Sequence, residues 1–156
     1  MAVSVPDLAA AALGAVAPAE VELLPDVTAA WQRGDLSRST SGQWLGGSVG
    51  FGLDPQLTVM VIYPILTGAL AQVMGESAVT GWRRLWQRVR RRGNQRPVEL
   101  PDSAVAEAER LRDACLTQAL AAGVPDDRAH LIADAVYGRL VRARADSGPA
   151  ADPSPR

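Results

Sequence analysis

Few side chains in this sequence are suited to chemistry, and they lie in its C-terminal third. His130 is the only histidine, and Asp126, Asp127 and Asp134 lie near it at helical spacing. Histidine and carboxylate groups in such an arrangement are possible ligands of a zinc ion. The same acids also suit the start and the solvent face of a helix. We therefore expect no metal site here.

Cys115 is the only cysteine and the other candidate for chemistry. It falls within an apolar stripe and has no histidine at a spacing typical of a catalytic pair, so we expect a small core residue rather than a nucleophile. A single cysteine also excludes a scaffold of internal disulfides. With one histidine, one cysteine and no convergent acid–base set, the sequence predicts a protein that is not an enzyme and uses no cofactor.

The order of charges along the chain is more informative than the total. The 156 residues allow one small domain, and 16 arginines against 17 acids give a net charge of −1. Residues 1–55 and 98–156 are acidic overall and residues 56–75 carry no charge, whereas residues 76–97 carry seven arginines and one acid. Because acidic segments flank the basic one and would repel a polyanion, the pattern argues against nucleic acid as a partner.

Residues 1–53 form an acidic, partly irregular N-terminal arm. It has no basic residue near its start, unlike a secretory signal. We expect a short helix beginning near Pro6 and Asp7, and either a brief strand or part of a helix over Glu20–Leu24. Residues 37–52 are rich in glycine and serine but lack the lysine of a phosphate-binding loop, which indicates a flexible connection.

Residues 57–75 form an uncharged, apolar run of 19 residues. A bilayer-spanning helix needs about 20 such residues. Asp54 and Pro55 would open this helix and Gly75 would end it. The alternative is a soluble core, with a β-branched strand over 58–63 that Pro64 ends, followed by a short buried helix. Periodicity does not separate the two, but the basic segment that follows favours the membrane.

That basic segment is the strongest local pattern in the sequence. Four apolar side chains at helical spacing share one face, and arginines occupy the remainder. Indole rings at an apolar boundary beside guanidinium groups are typical of a lipid headgroup layer. We therefore predict an amphipathic helix at an anionic membrane surface, with residues 76–156 in the cytoplasm. The membrane-interface residues are Trp82, Arg83, Arg84, Leu85, Trp86, Arg88, Val89, Arg90, Arg91 and Arg92.

Residues 98–145 predict an antiparallel helical hairpin. A first helix capped by Asp102 or Ser103 would end at Gly123, and a second would restart at Pro125. Two such helices bury too little to be stable alone, so we expect them to pack on the N-terminal arm, on a second copy or on a partner. The expected partner-binding residues are Val105, Leu111, Leu116, Leu131, Ile132, Val136 and Leu140. Residues 146–156 read as a disordered tail.

These observations predict a mainly α protein: a Gly/Ser-rich arm, an apolar membrane-associated helix and a basic amphipathic helix over 54–97, and a C-terminal hairpin. The preferred function is a non-enzymatic, membrane-associated adaptor or scaffold that recruits a cytoplasmic partner or self-associates into a homo-oligomer. One alternative is a membrane-perturbing, holin-like or pore-forming effector, in which Gly68 and its small neighbours allow close helix contact. The other is a soluble helical protein-interaction module whose apolar run is its core.

Overall fold

The computed structural model of the chain describes residues 3–33, 58, 61–75, 81 and 99–146. These ranges are mainly helical, and no strand longer than an isolated bridge occurs within them. The prediction of a mainly α protein is thus confirmed. In chain order the helices are α1 (Val5–Val16), a 3₁₀ helix (Pro18–Leu23), α2 (Leu24–Arg33), α3 (61–75), α4 (Asp102–Ala106), α5 (Ala108–Ala121) and α6 (Asp126–Asp146).

The first helix starts through a reciprocal cap. The Asp7 backbone N–H donates to the Ser4 hydroxyl oxygen over 3.3 Å, and the Ser4 backbone N–H donates to the Asp7 carboxylate over 2.9 Å. Two backbone donors that a helix leaves without partners are thereby satisfied. The helix was expected near Pro6 and Asp7, and the cap is Ser4 rather than the aspartate. The segment Glu20–Leu24 is helical, so its strand alternative is wrong.

The C-terminal hairpin consists of α5 and α6. Gly123 has φ of 82°, a left-handed conformation that favours glycine. Its N–H donates to the Leu120 carbonyl over 3.0 Å, and the Val124 N–H donates to the Ala119 carbonyl over 3.0 Å. This pair of bonds satisfies the last carbonyls of α5 and ends the helix where the sequence predicted.

The start of the hairpin differs from the prediction. Neither Asp102 nor Ser103 caps a helix, because Pro101 occupies the cap position of α4. The first helix is also divided in two at Glu107, which has non-helical backbone angles. The two long helices are nevertheless in antiparallel register, since the Arg112 Nε donates to the Asp134 carboxylate over 2.7 Å.

Helix α6 packs against both α1 and α5. Leu8 and Leu13 of α1 and Val136 and Leu140 of α6 are fully buried in one apolar cluster. The Leu100 N–H also donates to the Val3 carbonyl over 2.7 Å, next to the bridge between Ser4 and Glu99. The hairpin thus packs on the N-terminal arm, which is one of the three partners expected for it.

Helix α3 contributes the apolar run to this same core. Ile62, Tyr63, Leu66 and Leu70 are at most 1% exposed. Helical structure continues through Pro64, so the predicted strand over 58–63 is wrong for the residues described. The transmembrane helix predicted over 57–75 is not supported either: none of the helices in the described part of the chain is long and apolar enough to cross a membrane. The expected opening at 54–55 lies outside the described residues.

Tyr63 joins α3 to α2 through a buried polar contact. The Thr28 hydroxyl donates to the Leu24 carbonyl over 2.6 Å, which leaves its oxygen to accept a hydrogen bond from the Tyr63 hydroxyl. The Trp31 ring lies 4.4 Å from the Tyr63 ring, centroid to centroid. A buried phenol needs such a partner, because an unsatisfied hydroxyl inside an apolar core is costly. Burial raises the pKa of the Tyr63 hydroxyl, because the charged phenolate is disfavoured in an apolar core.

The turn of the hairpin provides a direct stability test. We expect Gly123→Ala to lower the free energy of unfolding by about 1 kcal/mol, since alanine is strained in the left-handed conformation. The matched control is Gly14→Ala, on an exposed position of α1 where an added Cβ meets nothing within 4 Å. That change should raise the free energy of unfolding by about 0.5–1 kcal/mol. Urea unfolding of both variants measures the two changes in stability. Equal changes would contradict the left-handed conformation of Gly123.

Candidate functional site

The histidine and aspartates near the start of α6 do not converge. His130 Nε2 lies 3.8 Å from the Asp126 carboxylate, and both side chains are largely exposed. Asp134 instead pairs with Arg112 on α5. Within residues 3–33, 61–75 and 99–146, no group of three or more histidine, cysteine or acidic side chains is placed to hold a metal ion. These residues are best explained as the solvated start of a helix.

Cys115 lies on the buried side of α5 and is 0% exposed. Burial raises the pKa of its thiol to about 12. Nucleophilic cysteines have a lowered pKa and solvent access, since the thiolate is the reactive form. Cys115 has neither property, and the structure places it in the core between apolar neighbours.

The seven residues expected to bind a partner fall into three groups by burial. Leu111, Ile132, Val136 and Leu140 are buried in the chain's own core. Val105 and Leu116 are half-buried, and only Leu131 of this set has a largely exposed side chain, at 49%. The structure therefore assigns most of these positions to the interior of the bundle.

Two exposed aliphatic side chains on the hairpin were not recognised as surface residues. Leu120 of α5 is 43% exposed, and Val141 of α6 is 41% exposed. The signal that could have found Val141 is the spacing of Ile132, Val136 and Leu140. Those residues define one side of α6, and Val141 lies away from it at 100° per residue.

An apolar cleft lies at the end of the bundle near the hairpin turn. Val16 of α1, Ile62 and Ile65 of α3, and Val124 and Ile132 of the hairpin contribute to its walls, and Arg128 is the charged residue among those lining it. Its volume is about 40 Å³. Such a space holds a water-sized group and is far below the 300–1,000 Å³ typical of ligand pockets.

The ten membrane-interface residues predicted over 82–92 lie outside the residues that the structure describes. Their role stays a prediction from the sequence. Among the described residues, large aliphatic side chains are exposed at two places: Val21 and Leu23 on the 3₁₀ helix, and Leu120, Leu131 and Val141 on the hairpin.

The comparisons with known proteins add no assignment. No protein family matches the sequence, and no curated protein or solved structure is similar enough to count as a match.

Proposed function

We propose that the chain is a non-enzymatic helical interaction module that binds another protein through the outward side of its α5–α6 hairpin. The observation that carries this proposal is the exposure of three large aliphatic side chains, Leu120, Leu131 and Val141, on one hairpin. Single exposed leucines are common on protein surfaces. Three such side chains on a pair of adjacent helices, whose Leu111 and Leu140 are fully buried, support a partner-binding role.

The chemistry-bearing side chains support a role without catalysis. Cys115 is buried with a raised pKa, and His130 is an exposed side chain whose nearest carboxylate is 3.8 Å away. Catalysis needs a nucleophile or an acid–base pair positioned where a substrate can reach it. The described helices contain no such arrangement around these two residues.

The burial of α3 weakens the pore-forming alternative. That alternative used Gly68 as a site of close contact between helices of different copies. In the structure a Cβ added at Gly68 would lie 2.8 Å from the Gln118 side-chain oxygen, so this space is already occupied by α5 of the same chain. The cytoplasmic placement of residues 76–156 required a spanning helix over 57–75, and it is therefore not part of this proposal.

A peripheral membrane contact is the second candidate, and one observation in the sequence favours it. In the sequence, Trp82, Leu85, Trp86 and Val89 recur at the spacing of one helical face, among six arginines. Each arginine would add about 1 kcal/mol of attraction to an anionic leaflet. In this version the module is an adaptor: residues 82–92 contact lipid while the hairpin contacts protein.

The main proposal predicts a partner that depends on the exposed aliphatic residues. We expect the triple variant Leu120→Asp, Leu131→Asp and Val141→Asp to keep its thermal unfolding midpoint within a few degrees, because these side chains are outside the core. A protein cross-linked to the wild-type chain in cells should be lost from this variant. The control is Thr117→Asp and Ala121→Asp, two exposed positions on α5. If the triple variant retains every cross-linked protein, the proposed surface is wrong.

The membrane contact has a separate test. Replacing Arg88, Arg90, Arg91 and Arg92 with glutamine should weaken cosedimentation with phosphatidylglycerol vesicles and flatten its dependence on salt. The control with the same loss of charge replaces Arg110, Arg139, Arg142 and Arg144, which lie on the hairpin. Equal binding by the two variants would remove the interfacial role of residues 82–92.

A further inference from the structure

We draw no further inference here: the strongest candidate, the small apolar cleft beside the hairpin turn with Arg128 in its lining, does not identify a ligand, because Asp126 and Asp127 adjoin that arginine in the chain and nothing in the structure shows what fills the cleft.

Discussion

Replacing Leu66 with alanine is expected to lower the free energy of unfolding by about 2–5 kcal/mol in buffer that contains neither lipid nor detergent. Leu66 is 0% exposed in the middle of α3, and its neighbours in the core come from the chain's own helices. Removing its terminal methyl groups loses apolar burial and leaves a cavity that a packed core fills only in part. Urea unfolding monitored by circular dichroism measures the change.

The control for this prediction lies on the same helix. Gln72 is exposed on α3, and Gln72→Ala should change the free energy of unfolding by no more than about 0.5 kcal/mol. Similar unfolding curves for the wild type, Leu66→Ala and Gln72→Ala would mean that α3 does not belong to the cooperative core. The placement of the apolar run inside the bundle would then be wrong.

Raising the pH above 9 is expected to destabilise the bundle, with Cys115 as the main cause. The pKa of its thiol is raised by burial from 9.0 to about 12. Between these values the unfolded chain releases the proton while the folded chain keeps it, so ionisation favours unfolding. The stability is fully present below pH 9 and falls by about 1.4 kcal/mol per pH unit above it, or roughly 3–5 kcal/mol by pH 12. Tyr63 adds a loss of the same sign above pH 10, because burial raises its pKa too.

Cys115→Ala isolates the contribution of the thiol. The variant starts from a lower stability at pH 7, because a small side chain is removed from the core. Its free energy of unfolding should nevertheless decline much less steeply between pH 9 and 10, where Tyr63 ionises only in part in the unfolded chain. Denaturation curves at several pH values measure the two slopes. Parallel slopes for the variant and the wild type would contradict the burial of the thiol.

The hairpin was predictable because its determinants are local. Gly123 follows the apolar residues of α5, and Pro125 with two aspartates is typical of a helix start. A few neighbouring residues therefore predict the turn. The break at Glu107 carries no comparable signal, since no glycine or proline lies there. No residue at that point requires an interruption, and helix propensity alone predicts one continuous helix through Glu107.

The environment of the apolar run could not be read from its own residues. An uncharged segment of 19 residues suits lipid and protein interior equally, and its surroundings are set by α2, α5 and α6, which lie far away in sequence. Leu120 and Leu131 show the same limit at the scale of one side chain. Both occur among the apolar residues of their helices. Whether each side chain is buried depends on where the neighbouring helices lie around α5 and α6.

The contact between α1 and α6 governs the order in which this bundle can form. These helices cover residues 5–16 and 126–146. More than 100 further residues must therefore be synthesised before α1 can pack against α6. Pairing segments so distant in the chain slows folding, because closing a long loop lowers the chain entropy before the stabilising contacts form. During translation α1 therefore remains without its native cover until α6 has been synthesised, and its alanine-rich apolar face stays exposed in that interval.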